Sequence, residues 1–262
     1  MVIRRFREHV VDQNWFAVLI DVGIVVLGVF LGTQASVWNE QRIEGEQARE
    51  YRQRLIDEVR FNGLQFASQE HYYETVRTYG QQALAALSGG PDTSDRDFLI
   101  AAYQLSQTDT TQAKTQIYDE MIANGMFTRI GDARLQQLVS DYYLGLSVSN
   151  RVVAETYPYR TMIREVMPYA LQKRIRDACG DRFAMADGRI VGVQLVIPCK
   201  VSIEPAEAAA AARVVRSAPR LKKEMTRYIA SIDEKLDQLT PGIGFSSMMQ
   251  QQLTKVGDGQ TA

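Results

Sequence analysis

Hydrophobic positions in this chain change their spacing three times. From Trp15 to Trp38 they are nearly continuous, W-F-A-V-L-I-D-V-G-I-V-V-L-G-V-F-L-G-T-Q-A-S-V-W, with Asp21 the one ionisable residue. A helix of that length crosses the roughly 30 Å hydrocarbon layer at about 1.5 Å per residue. Tryptophans at its ends suit the two interfaces. Beyond Trp38 the apolar residues recur at helical spacing, and no proline occurs before Pro91. Residues 39–88 therefore continue the span as a long amphipathic helix. Tyr51, Leu55 and Val59 form its stripe, and Arg42-Glu46 and Glu50-Arg54 are i,i+4 pairs. A break is expected near Gly63 or Gly80, and Ser88-Gly89-Gly90-Pro91-Asp92 ends the run.

Shorter periodic stretches follow. Helices are predicted at 95–107 and 111–124, the second closed by Asn124-Gly125. Asp132 is an N-cap for a longer one, with Leu135, Leu138, Val139, Tyr142 and Leu146 on one face. Pro158 and Pro168 kink or divide its continuation toward Ala178. The period then shifts to two: Asp187-Gly188 is a hairpin signal, followed by alternating Val191, Val193, Leu195 and Ile197. Helices return at 205–216 and 219–238, the last carrying Leu221, Met225, Tyr228, Ile229, Ile232, Leu236 and Leu239, until Thr240-Pro241-Gly242 stops it. The fold class is mainly α: an N-terminal transmembrane helix running into an amphipathic one, with a helical-bundle body and a small β-hairpin. The predicted division is a cytoplasmic tail (1–14), the span (15–38), an extracytoplasmic body (39–240, with a closed hairpin at 179–199) and a flexible tail (241–262). A short contact segment is the other reading of that last stretch.

Two other readings compete for the apolar block. A buried soluble helix is seldom apolar all round. A cleaved signal peptide, with Thr33 and Ala35 imitating its small-x-small site, has a shorter apolar core. Orientation by positive charge is close to a tie, Arg4, Arg5 and Arg7 before the span against Arg42, Arg49, Arg52 and Arg54 after it. The acids Glu40, Glu44 and Glu46, and the cysteine pair, favour a cytoplasmic N-terminus. At 100° per residue, Gly28 and Gly32 fall about 20° to either side of Asp21, and Ala35 about 40° away. An acid at mid-bilayer costs at least about 2.5 kcal/mol unless paired or hydrated. A face of acid and small residues admits a neighbouring helix closely and buries the polar group against it. The alternative is that Asp21 reaches water at the inner headgroups; ion translocation needs more polar residues than one helix offers.

The stretch V-V-L-G-V-F-L-G-T-Q-A-S-V-W-N-E, Val25 to Glu40, resembles a bacterial family of N-terminally anchored membrane proteins of unknown function. Asp21, Gly28, Gln34, Trp38, Asn39 and Glu40 occupy the places of that family's acid, glycine, glutamine and closing W-N-E. A second stretch is similar to it as well: Y-D-E-M-I-A-N-G at 118–125, then Ile130, Leu135, Leu138, Val139 and Tyr142-Tyr143. The likeness covers residues 15 to 145. It implies the single-pass topology and brings no activity.

Composition narrows function mainly by exclusion. A formal charge of -1 over 262 residues supplies no basic field for nucleic acid. Two histidines, His9 and His71, are a thin supply for catalysis or metal binding, and no cofactor is expected. Cys179 and Cys199 are far from C-x-x-C spacing. They either bridge the hairpin, contributing roughly 3 kcal/mol, or remain two buried thiols. No P-loop, Rossmann fingerprint, H-E-x-x-H or G-x-S-x-G occurs. Asp57-Glu58 and Asp119-Glu120 read as solvated charge, His71 as ordinary surface or core, and Tyr142, Tyr143, Tyr157 and Tyr159 as bundle packing. The pattern points to a non-enzymatic, membrane-anchored scaffold or accessory subunit of a bacterial envelope complex. Its partners are membrane lipids and another membrane protein or a second copy. It would sit in the cytoplasmic membrane with a periplasmic body. The competing class is an extracytoplasmic small-molecule-binding or sensory module, against which stands the short stretch before the span. An enzyme without a recognisable motif is the third.

Overall fold

The computed structural model describes residues 15–88 and 93–259. The expected tail at 1–14, the turn residues Gly89–Asp92 and residues 260–262 lie outside them, as do the side chains of 15–18, Asp21 and 257–259. The chain forms two units, Met1–Glu50 and Tyr51–Ala262.

The first unit is helical from Trp15, the start of α1 (Trp15–Leu87). It contains the one stretch among the described residues that is long and apolar enough to cross a membrane, and none of that stretch is buried. Arg42 and Glu46 form the expected i,i+4 pair at 3.6 Å.

In the second unit α1 continues without the break expected near Gly63 or Gly80. Both glycines serve close packing. A Cβ at Gly80 would lie 2.7 Å from Leu105 Cδ1 and 2.8 Å from Ile229 Cγ1, and one at Gly63 would lie 3.1 Å from Ser246 Cβ. The remaining elements are α2 (Asp95–Leu105), α3 (Gln116–Ala123), a 3-10 turn (Met126–Arg129), α4 (Ala133–Ala154), α5 (Pro158–Val166) and α6 (Tyr169–Cys179). The hairpin β1 (Asp181–Ala186) and β2 (Arg189–Leu195) follows, then α7 (Pro205–Arg216) and α8 (Leu221–Gly259).

Helix α2 is the centre of the body. Ser94 caps it, its side chain accepting from Asp97 N, and every residue from Phe98 to Leu105 is buried. After the charged first turn Asp95-Arg96-Asp97 the buried run is apolar apart from the Tyr103 hydroxyl and Gln104, whose Nε2 donates to Cys179 O at 2.8 Å. Full burial of a Phe or Leu side chain contributes about 1.5–3 kcal/mol. Alanines on α7 (Ala208, Ala211, Ala212) are buried where it packs on α2. One continuous core joins these helices to α4, α5, α6, α8 and the stretch of α1 from Leu55 to Ala83.

The prolines act as boundaries: Pro158 opens α5 and Pro168 caps α6. Asp132 caps α4, its carboxylate accepting from Leu135 N at 2.8 Å. Asp187 and Gly188 take φ of 50° and 71°, the positive pair of a two-residue hairpin turn. Phe183 pairs with Val193, a bulge follows Ala184, and Ala184 and Val191 pack on Phe61 of α1.

Three further expectations are corrected. The helix placed at 111–124 begins only at Gln116. The Glu50-Arg54 pair gives way to Arg54 and Glu120, 2.5 Å apart. The segment from Pro241, expected to be a flexible tail, is helical to Gly259, with Met249 and Leu253 in the core. Proline costs a helix interior about 3 kcal/mol, and burial of those two side chains offsets it. Gly242 lets the helix approach the Phe66 ring, which a Cβ there would meet at 3.1 Å.

Candidate functional site

The apolar stretch of α1 presents Leu19, Ile20 and the residues from Val22 to Trp38 to the outside. Gly28, Gly32 and Ala35 are exposed, and a Cβ at either glycine would meet nothing within 4 Å. Asp21 belongs to the same helix, its side chain outside the described set. Thr33 Oγ1 turns inward to Phe30 O at 2.8 Å, so the hydroxyl spends its donor on its own helix. The face offers small residues and few polar groups, which suits another helix better than water.

The disulfide partners come together. Cys179, closing α6, and Cys199 lie with Cα atoms 5.2 Å apart and sulfurs at bonding distance. Arg96 holds the connection that follows β2, donating from Nε to Val201 O at 2.9 Å.

Between α2 and α3 runs an extended segment, residues 107–115, that the sequence reading missed. Amides on one face of α1 hold its main chain. Asn62 is bidentate on Lys114, accepting from N at 2.7 Å and donating to O at 2.9 Å. Gln65 Nε2 donates to Gln112 O at 3.4 Å and Gln69 Nε2 to Thr111 O at 2.6 Å. From the other side Asn150 accepts from Ala113 N at 2.9 Å. Tyr73 and Tyr228 donate to Asp109 O and Gln107 O at 2.7 and 3.0 Å. A buried main chain needs such partners. The signal was present as Asn62, Gln65 and Gln69 at helical spacing on an otherwise apolar face.

The acidic doublets divide. Asp57 and Asp119 are exposed, as expected. Glu58 is buried, and its carboxylate accepts from Ile117 N at 2.8 Å and the Tyr143 hydroxyl at 2.6 Å, clasping α3 and α4 to α1. Hydrogen bonds from Arg54 and then Tyr51 hold Glu120 below the usual carboxylate range. His71 is exposed. Tyr143 stacks on Tyr118 at 4.1 Å, and the buried Tyr159 donates to Ala102 O at 2.7 Å. Two arginines, Arg160 and Arg164, close the end of α2. Arg160 donates to Ser106 O, and Arg164 donates to Gln107 Oε1 at 3.1 Å beside the Tyr103 ring. Burial, and then neighbouring Arg160, push the Arg164 pKa down.

Among the described residues no group of three or more His, Cys, Asp or Glu side chains gathers as metal ligands would. The charged and phenolic groups above are tied to main chain or to each other across helices, which is structural work. In comparisons with protein families, curated proteins and solved structures, nothing matches this chain.

Proposed function

We propose that the chain is a membrane-anchored, non-enzymatic helical domain serving as a scaffold or accessory subunit of a bacterial envelope complex. Residues 15–38 lie in the cytoplasmic membrane, the N-terminus is cytoplasmic and the body periplasmic. One observation carries the reading: a wholly exposed apolar helix displays Gly28, Gly32 and Ala35 with open space over both glycines. Lipid gains nothing from such a face, whereas a second helix gains close van der Waals contact and a niche for Asp21. The cysteine pair at bonding distance suits an oxidising compartment, as does the likeness of Val25–Glu40 to anchored bacterial proteins.

The test is crosslinking and native mass spectrometry of the full-length protein with its co-purifying partners. Gly28→Leu or Gly32→Leu is expected to weaken association, while Val26→Leu is nearly silent. Association that survives Asp21→Asn but fails with Asp21→Leu assigns a polar contact to the acid. Unchanged association in both glycine variants removes the reading's support. Protease added to spheroplasts checks orientation: digestion beyond residue 40 is expected, and protection until lysis reverses the topology.

A further inference from the structure

Within the body, α4 and α8 leave between them an open groove of about 400 Å³. Leu138 and Leu146 of α4, Phe245, Met248 and Met249 of α8, and Phe66 of α1 supply its apolar lining. Phe245 and Met248 are 57% and 40% exposed, a costly display for side chains of that size unless something covers them. Gly145 sits midway along the α4 wall, where a Cβ would find open space.

Two polar side chains on α4 give the groove a chemistry. Asp141 is the one charged residue lining it. One carboxylate oxygen accepts from Gln137 Nε2 at 2.8 Å, and the other has no partner among the described residues. Ser149 also lines the groove; it is 7% exposed, and its buried hydroxyl makes no hydrogen bond. Leaving such a hydroxyl unsatisfied is unfavourable. Eight residues separate the two along one helix, which places them about 12 Å apart.

We infer that this groove binds a small amphipathic molecule with an apolar body about 12 Å long, an ammonium group at one end and a hydroxyl or carbonyl at the other. The ammonium meets Asp141, the apolar body crosses Gly145 between Leu146 and Phe245, and the far polar group satisfies Ser149. The volume is ordinary for a small-molecule site, and so is an apolar lining with a few convergent polar groups. An apolar helix of a partner protein would leave the Ser149 hydroxyl without a bond, which favours a ligand carrying its own polar group. The groove belongs to the body alone, so this inference stands apart from the membrane-scaffold reading and survives that reading's failure.

The test uses the full-length protein in lipid nanodiscs and four probes of one chain length: 8-aminooctan-1-ol, octylamine, 1-octanol and octanoate. Binding is read by ligand-detected NMR against empty nanodiscs. Aminooctanol is expected to bind best, octylamine about fivefold more weakly, octanol weaker again and octanoate not at all. Ser149→Ala should erase the gap between the first two. Asp141→Asn should erase the gap between octylamine and octanol; its exposed side chain makes loss of folding no explanation. Gly145→Leu should abolish binding with the melting temperature retained. Binding indistinguishable from empty nanodiscs, or an affinity order untouched by Asp141→Asn, overturns the inference. So does a Gly145→Leu variant that changes only the oligomeric state, since the groove would then be a protein contact.

Discussion

Lys235 shows how far a side chain can be displaced from its usual chemistry by packing. It is 1% exposed, and its Nζ donates to Val153 O and Glu155 O at 2.8 and 3.1 Å, closing the C-terminal end of α4. Carbonyls at a helix end welcome a cation, yet removal from water outweighs them and pushes its pKa down to about 8. The unfolded chain, with an ordinary lysine near 10.5, then holds more protons between those two values. Stability from this group is therefore smallest below about 8 and rises as pH increases toward 10.5. A ¹³Cε titration of Lys235 should show a midpoint near 8, and a midpoint at the ordinary value would remove the claim. Burial acts in the opposite direction on Tyr72, Tyr73 and Tyr143, raising all three. The burial of Lys235 was unreadable beforehand: at 1% exposure it shares a face with Ile232 and Leu239, where its charge argues for solvent.

At the scale of elements, side chains in place of a main-chain ladder hold residues 107–115. Asn62→Ala removes both hydrogen bonds to Lys114 and leaves its N and O without that partner. The expected loss is about 1–3 kcal/mol, with faster hydrogen exchange at Lys114 than at Ala113, whose N–H Asn150 still holds. Equal exchange at the two amides would mean that the segment opens as a unit. This segment also explains where sequence reading ended. Caps and breakers are local, so Asp132, Pro158, Pro168 and Asp187-Gly188 announced their boundaries. The extended stretch is a tertiary matter, because residues 111–115 prefer no helix once α1 offers amides to their main chain. Pro241 misled for the same reason. The stripe from Leu221 to Leu239 continues through Met249 and Leu253, but a helix breaker was given more weight than periodicity. The groove between α4 and α8 was hidden for the same reason, since its wall from Pro241 to Met249 lay in a supposed tail. The apolar helix that carries Gly28, Gly32 and Ala35 was legible from its unbroken hydrophobic run, and the cysteine pairing partly so: the hairpin signal placed two thiols at its ends.

For the molecule as a whole, the covalent link and the core contribute separately. Cys179 and Cys199 stand 20 positions apart in sequence, and reducing a link across such a loop lowers stability by about 3 kcal/mol. Reduction should lower the melting temperature of the body by about 6–12 °C, measured by circular dichroism with and without reductant. A smaller shift would place the restraint in the packing of Cys179 beneath Gln104, which persists without the bond. The extended segment carries one more consequence for the entire chain. Its rungs stand at fixed rises along α1, and each meets a particular residue of the segment. One added residue between Thr111 and Lys114 would carry every later carbonyl past its amide. The grip of Asn62, Gln65 and Gln69 is on N–H and C=O groups, so it depends on the number of residues in the segment. Insertions and deletions should thus be rejected in this loop, the reverse of what loops ordinarily permit.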